Sequence, residues 1–313
     1  MLKSKKNKPR DMIGAKAAWQ LSSWIEPWGE SRFPIDVDML ATNAHKMYQR
    51  EDRITQIAPG PWQDFEGFLQ RNPDNPHEWL LSYREDASPE RQRFTKAHEL
   101  AHYVLHAQRA ATFRCGASTI VEEDLGDVDI EAQANQFASH LLMPSKHVLA
   151  RIVNTPITFE LVGALASVYG VSFQAMCIRI VEVTAERAVL VHWDNGMLLR
   201  WSRSEPAERQ RLWIDRPPYE PLEPPPGTLA ADPDVRQCYE GRDVPANLWF
   251  KNAPKGLLLR EMKHTSDKFE RVLSLLIVPS FTPEWSTTSR GNEEETEQDT
   301  FDRFIERGQH PVR

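Results

Sequence analysis

The chain has 313 residues, which is enough for two domains with a sizeable core. Its formal net charge of −7 argues against a general nucleic-acid-binding protein, because such proteins usually carry a basic surface. The three cysteines, Cys115, Cys177 and Cys238, follow no metal-binding or redox spacing, so we expect reduced thiols in a cytoplasmic protein. We expect neither a signal peptide nor a membrane-spanning segment, because no apolar run is long enough.

The N-terminal part predicts two helices and a small sheet. The apolar residues of 15–28 recur at intervals of three and four, which indicates an amphipathic helix, and a second helix is expected from Val37 to Tyr48. Three short strands are expected between Gly, Pro and Asn signals, at 54–57, 65–69 and 79–83. The run 65–69 is a candidate for an edge strand that binds a substrate by strand addition, although an ordinary sheet strand fits it as well.

The most informative stretch predicts a helix that carries metal-binding side chains. Ser88 and Pro89 are typical of an N-cap and of the first helical position. His98, Glu99 and His102 then form an H-E-x-x-H pattern, and residues four apart lie on one face of a helix. Two imidazoles and an adjacent carboxylate provide two ligands and a general base for a catalytic zinc ion. Histidines that only pack along the inner side of a helix are the alternative.

A catalytic zinc site also needs a third protein ligand and an open position. His106 lies roughly 12 Å along a straight helix from the first histidine of the pattern, so we expect it at the helix end, on the surface, or behind the ligands. A second helix is predicted up to Pro144, and Glu131 in its first turn can lean over the first helix. Asp129 is the competing ligand, although its position before the helix suits an N-cap. The connection 112–129 predicts an acidic loop.

These two segments resemble the ImmA/IrrE family of bacterial zinc metallopeptidases. The shared residues are R-Q-R-F-T-x-A-H-E-x-x-H at 91–102 and E-x-x-A-N-x-F-A-x-x-L-L-M-P at 131–144. The resemblance covers about residues 34–183. It is much more specific than the H-E-x-x-H pattern alone, and it says little about the last third of the chain.

The resemblance implies that His98, His102 and Glu131 bind Zn²⁺ and that Glu99 is the catalytic base. It also implies a protein substrate, a helix-turn-helix transcriptional repressor, whose cleavage derepresses stress or mobile-element genes. Two other interpretations stay open: a transcriptional regulator with a purely structural metal, and an interaction protein such as one half of a toxin–antitoxin pair. A general base at Glu99 counts against the first of these, since a structural site has no use for a base.

After the second metal helix the sequence predicts three short helices, near 146–152, 158–169 and 172–183, with the spacing of a helix-turn-helix. We nevertheless expect no direct sequence-specific DNA binding. No Lys or Arg lies between Arg151 and Arg179, and DNA affinity depends on cations that neutralise phosphates. We expect this segment to pack on the catalytic domain.

The last third predicts a β-rich domain. Asp194-Asn195-Gly196 is a strong hairpin signal between strands at 188–193 and 197–201. Two more strands are expected at 256–262 and 269–278.

The expected fold is therefore α+β. It consists of a zincin-like metallopeptidase domain with a small sheet and the H-E-x-x-H helix, a helix-turn-helix-like segment, and a β-rich C-terminal domain. The predicted divisions are a basic disordered tail at 1–13, the peptidase domain at 14–150, the helical segment at 151–185, the β-rich domain at 186–286 and an acidic disordered tail at 287–313.

Overall fold

The computed structural model describes residues 12–24, 33–115, 130–215, 221–266 and 271–281. They form a mixed α+β structure, as the sequence predicts, in two compact units. The first unit contains the described residues up to Pro144 together with Val168–Val171. The second contains Ser145–Ser167 and the described residues from Ser172 onward. Both predicted tails lie outside the described residues, apart from two residues at the end of the first.

The first unit combines helices with a four-stranded sheet. In chain order its described elements are α1 (Ile13–Trp24), α2 (Val37–Met47), β1 (Arg53–Gly60), β2 (Gly67–Arg71), β3 (Glu78–Arg84), α3 (Pro89–Ala101), a π-helical turn (His102–His106), β4 (Thr112–Cys115) and α4 (Ile130–Leu142). Helix α3 begins as predicted, because the Ser88 side chain accepts a hydrogen bond from the backbone N–H of Arg91 and Pro89 follows the cap.

The strands of this sheet lie in the order β1-β3-β2-β4. Strand β2 is antiparallel to both β3 and β4, whereas β1 is parallel to β3. The prediction of an edge strand at 65–69 is wrong, because β2 has a partner on each side. Among the described strands, β1 and β4 form the edges. Strand β4 lies in a stretch predicted as a loop, since four residues are too few to reveal a period.

Helix α4 packs against both α1 and α3, and this fixes its position in the first unit. The backbone N–H of Ala15 donates to Oε1 of Gln136 at 3.0 Å. Gly14 lies so close to α4 that a Cβ atom there would be 2.2 Å from the carbonyl oxygen of Gln133. On the other side, fully buried apolar residues of α3 and α4 share the core, namely Ala97, Leu100, Ala101, Ala134, Phe137, Ala138 and Leu141. The packing therefore holds the first turn of α4 beside the end of α3.

The second unit contains short helices and a five-stranded sheet. Its described elements are α5 (Ser145–Ile152), α6 (Phe159–Tyr169, of which the last two residues cluster with the first unit), α7 (Phe173–Val183), β5 (Arg187–Asp194), β6 (Met197–Arg203), α8 (Glu205–Arg209), β7 (Gln237–Pro245), a 3₁₀ turn (Ala246–Leu248), β8 (Leu258–Thr265) and β9 (Arg271–Val278). The strand order is β6-β5-β9-β8-β7, and every neighbouring pair is antiparallel.

The predicted hairpin is confirmed, because β5 and β6 pair through Asp194 and Met197. Asn195 and Gly196 both have positive φ, 50° and 74°, as a tight two-residue hairpin turn requires. The two later predicted strands are present as β8 and β9, which pair with each other. Strand β7 and helix α8 had no sequence prediction. Within the described residues no single helix is long and apolar enough to cross a membrane; α6 and α7 meet that test only as a pair bent by 107°.

Candidate metal centre

The structure brings the two histidines of the H-E-x-x-H pattern to one point. His98 lies in the last turn of α3, and His102 is the first residue of the π-helical turn. Both side chains are buried, and their Nε2 atoms are 3.0 Å apart. Burial lowers the pKa of His102, and the neighbouring His98 lowers it further. His102 is therefore a neutral imidazole, the form that binds a metal ion.

Glu131, in the first turn of α4, completes a three-residue set with these histidines. One carboxylate oxygen lies 3.2 Å from Nε2 of His98, and the other lies 3.2 Å from Nε2 of His102. Burial alone would raise the pKa of Glu131, but hydrogen bonds with His102 and His98 hold it well below its ordinary value. Its side chain is 39% exposed, so the cluster has a side that solvent can reach. Asp129, the competing ligand, lies outside the described residues.

Cys115 is a fourth potential ligand, and the sequence analysis missed it. It ends strand β4, and its Sγ atom lies 3.4 Å from Nε2 of His102. The ligand atoms of His98, His102, Cys115 and Glu131 all lie within 4.8 Å of one another. No spacing in the sequence indicates this position, because the cysteine reaches the cluster through strand pairing and not through the helix that carries the histidines.

The four side chains fit a small tetrahedral cation. Bonds of about 2.0–2.3 Å place neighbouring ligand atoms about 3.3–3.6 Å apart in a tetrahedral zinc site. The separations in the cluster are 3.0 Å between the imidazoles, 3.2 Å from each imidazole to the carboxylate and 3.4 Å from His102 to the sulfur. Nitrogen, oxygen and sulfur donors together favour a divalent transition metal over Mg²⁺ or Ca²⁺.

Hydrogen bonds behind the ligands orient both imidazole rings. Nδ1 of His98 lies 3.0 Å from Oδ1 of Asn135, to which it donates. Because Nε2 of His102 faces the cluster, its ring proton belongs on Nδ1, 3.2 Å from Nδ1 of His106. Nε2 of His106 in turn donates to Oε1 of Gln133 at 3.1 Å. With a metal ion bound, this set of tautomers would leave Nε2 of both histidines with a free lone pair.

The prediction of a surface position for His106 is wrong, and the alternative, a position behind the ligands, is what the structure has. His106 is buried, four residues after His102, at the end of the π-helical turn. The straight-helix argument measured its distance to His98, whereas its contact is with His102. Burial lowers the pKa of His106 to about 4, and the adjacent His102 contributes to this. It is therefore neutral at neutral pH, and one of its ring nitrogens can accept the proton of His102.

Glu99 is fully buried and unusual in its surroundings. No well-aligned hydrogen bond reaches either carboxylate oxygen among the described residues, and the nearby His98 and Cys115 thiol only partly offset the effect of burial on its pKa. Burial raises its pKa to about 8. Strand β2 approaches closely at Gly67, where a Cβ atom would lie 2.4 Å from Cγ2 of Thr95 and 3.2 Å from Oε1 of Glu99. A buried polar group without a partner is costly, which indicates that this carboxylate serves a bound species.

The family comparison agrees with this site. Residues 56–181 match the family model Peptidase_M78, described as the IrrE N-terminal-like domain. The resemblance to ImmA/IrrE proteins is confirmed, and the matched region includes all four residues of the cluster. The family supports a metallopeptidase of the ImmA/IrrE type.

No match was found among curated proteins. Among solved structures, a Mycobacterium tuberculosis transcriptional regulator is similar to this chain, with 15% sequence identity and a TM-score of 0.49. The similarity covers 87% of this chain and 77% of that chain.

Proposed function

We propose that the protein is a cytoplasmic, zinc-dependent endopeptidase of the ImmA/IrrE type. The observation that supports this most strongly is the convergence of His98, His102 and Glu131, with separations of 3.0–3.2 Å, in a cluster that follows the H-E-x-x-H spacing. Zinc is the ion that best suits two imidazoles and one carboxylate in a hydrolase. When bound, it would polarise the attacking water and the scissile carbonyl group.

Glu99 acts as the general base in this proposal. It takes a proton from the attacking water, holds it on a carboxylate oxygen and passes it to the leaving amine. Burial raises its pKa to about 8, against the opposing effects of His98 and the Cys115 thiol. A neighbouring cation favours the charged form of a carboxylate, so binding of the metal makes Glu99 available as a base.

Residues behind the ligands have a positioning role. Asn135 holds the ring of His98, and the pair His106–Gln133 holds the ring of His102, through the hydrogen bonds at 3.0–3.2 Å. Such partners fix the tautomer and the direction of each ligand nitrogen. They also explain why the helix carries a third histidine that does not itself reach the ion.

The proposed substrate is a helix-turn-helix repressor, which enters the site as an extended strand. Strand β4 is an edge among the described strands and ends at the cluster with Cys115. An edge strand of this kind can pair with an added substrate strand through its backbone groups. We propose that cleavage relieves repression of stress or mobile-element genes, in keeping with the function that the resemblance implies.

Direct DNA reading by α6 and α7 is not part of this proposal. Arg179, the cation of α7, is buried and pairs with Glu182 at 2.9 Å. It is therefore poorly placed to neutralise a phosphate.

A non-proteolytic regulator with a structural metal is the second candidate, and Cys115 is the observation in its favour. Four protein ligands around zinc are typical of structural sites, whereas catalytic sites keep an open position. A fully buried, unpaired Glu99 favours the peptidase, because a structural site needs no base.

The test is incubation of the purified, zinc-loaded protein with small helix-turn-helix repressors, any encoded beside it first, with fragments identified by mass spectrometry. We expect cleavage by the wild type and none by Glu99→Gln, which keeps the metal. His98→Ala should lose the metal, whereas His45→Ala, a change on α2 outside the cluster, should retain both metal and activity. Full zinc content in Glu131→Ala would remove Glu131 as a ligand and return attention to Asp129. Cleavage that persists in Glu99→Gln would contradict the mechanism.

A further inference from the structure

We propose that Cys115 is a fourth metal ligand that closes the centre, so that the resting protein holds its ion with no position open to water. This inference rests on the proposed zinc site and adds regulation to it. It differs from the ligand set that the family resemblance implies, which contains two histidines and one glutamate.

The position of the sulfur carries the inference. Sγ of Cys115 lies 3.4 Å from Nε2 of His102, close to the nitrogen–sulfur separation of about 3.6 Å in a tetrahedral zinc site. The position of the cysteine is fixed by strand pairing and not by a loop. Its residue pairs with Gly67 of β2, and its carbonyl oxygen accepts a hydrogen bond from the backbone N–H of Glu66 at 2.8 Å. The sheet therefore holds the thiol at the cluster.

A second observation points to the same position. Glu99 is fully buried with no well-aligned hydrogen bond to either oxygen among the described residues. It interacts with the Cys115 thiol, and its Oε1 atom lies against Gly67, the strand partner of Cys115. The proposed base and the thiol thus lie beside the same glycine and interact with each other. The place where Glu99 would activate water is the place where the sulfur binds. Thiolate and water therefore compete for one coordination position.

The consequence is a latent peptidase. A thiolate is a stronger and softer ligand than water for a transition metal. We therefore expect the closed form, with the sulfur bound, to predominate over the form with water bound. Opening breaks the bond between sulfur and metal, and the sulfur takes up one proton from solvent to become a neutral thiol. The vacated position then admits water beside Glu99. No oxidation is involved, and the three other ligands stay in place.

Cobalt substitution tests the ligand directly. The metal-free, full-length protein is titrated with Co²⁺, and the near-ultraviolet charge-transfer band of a cobalt–thiolate bond is recorded. We expect the band to grow up to one cobalt per chain in the wild type and in Cys177→Ser, whose cysteine is also buried but lies in α7. Cys115→Ser should bind one cobalt without the band. A wild type that binds cobalt without the band, or a band that persists in Cys115→Ser, would overturn the inference.

A second measurement uses the natural sequence and so does not depend on the folding of a variant. The native protein is treated with iodoacetamide with and without zinc, and the modification of each cysteine is followed by mass spectrometry. Zinc should slow alkylation of Cys115 by about tenfold or more, because a bound thiolate is a poor nucleophile. Cys238, which is partly exposed, is the internal control and should react equally in both samples. Equal rates at Cys115 would contradict thiolate binding.

These results are independent of peptidase activity. A cobalt–thiolate band in the wild type, together with a repressor that stays uncut by both the wild type and Cys115→Ser, would support the fourth ligand and count against the proposed function. Repressor cleavage by a wild type that shows no such band would support the proposed function and count against the fourth ligand.

Discussion

Two glutamates, Glu99 in the first unit and Glu261 in the second, are both 0% exposed, yet their surroundings are opposite. Glu261 accepts hydrogen bonds from the backbone N–H groups of Leu229 and Ala230, at 3.0 and 2.7 Å, and from Nε1 of Trp249 at 3.3 Å. Glu99 has no such partner among the described residues. The comparison separates a carboxylate that holds a fold together from one that we propose acts as a general base.

The physical difference is how desolvation is offset. Burial leaves the pKa of Glu261 above its ordinary value, although three N–H donors and the nearby Lys263 partly offset the effect. Its hydrogen bonds attach the chain around residues 229–230 to strand β8, which is a structural task. Burial of Glu99 is not offset in this way, and its pKa reaches about 8. Strongly perturbed carboxyl groups beside potential metal ligands are typical of catalytic sites.

The largest expected effect is on hydrolysis. Glu99→Gln removes the proton acceptor and should lower the cleavage rate by about 10²–10⁴-fold, with metal content unchanged. Glu261→Gln is the matched control, since it makes the same chemical change at an equally buried site. It should retain the rate of the wild type at temperatures where it stays folded. If both variants lost activity equally while folded, the distinction between the two glutamates would fail.

The next effect concerns the stability of the metal-free protein. In the unfolded chain Glu99 loses its proton near its ordinary pKa of 4.5, whereas the folded chain keeps it up to about pH 8. Between these values the folded state binds more protons, so stability falls as pH rises, by about 1.4 kcal/mol per pH unit. Glu99→Gln removes this loss and should be more stable than the wild type by about 4 kcal/mol near pH 8.

Urea unfolding of both metal-free proteins across this range checks the prediction. The two curves should converge near pH 4, because the carboxyl group is then protonated in the folded and the unfolded chain. Parallel curves, or a variant that is less stable near pH 8, would show that Glu99 has a partner that offsets its burial.

At Glu261 the same substitution, Glu to Gln, should lower the free energy of unfolding. The amide of Glu261→Gln keeps one acceptor but turns an NH₂ group toward an N–H donor. We expect a loss of about 1–3 kcal/mol in the free energy of unfolding, the usual effect of leaving a buried donor unsatisfied. Urea unfolding at neutral pH measures it. A stabilised variant would mean that the contacts of Glu261 do not offset its desolvation.

The smallest effect is expected at a residue that supports the cluster without reaching the ion. His106→Ala should keep the metal, but removing the acceptor for Nδ1 of His102 should weaken metal affinity by about 10–100-fold. Competition with a fluorescent chelator measures the affinity, with His45→Ala as the control. Complete loss of metal would instead make His106 a ligand, and unchanged affinity would remove its positioning role.

Much of the local structure could be predicted because its causes lie within a few residues. Ser88 and Pro89 start α3 as a cap and a first-turn proline, and Asn195-Gly196 adopts the positive φ angles that a tight hairpin needs. The four-residue spacing of His98 and His102 was sufficient to predict that the imidazoles converge. The first turn of α4 likewise contains Glu131, as its helical pattern indicated.

Other features could not be predicted, because distant parts of the chain create them. Strand β4 is only four residues long, and its pairing with β2 makes β2 an interior strand and carries Cys115 to the histidines. The burial of His106 depends on a π-helical turn and on Gln133 from another helix. No periodicity within either segment contains this information.

By itself, the sequence determined the H-E-x-x-H helix, the second metal helix and the chemical types of the predicted ligands, because caps and helical spacing act over one or two turns. Tertiary structure alone decided that a cysteine joins the cluster and that Glu99 is buried beside it. Both depend on the sheet, which brings β4 to the end of α3 and lets the backbone of Gly67 approach the helix where any side chain would collide. Such contacts arise when whole helices and strands pack together, so the sequence of a single element does not predict them.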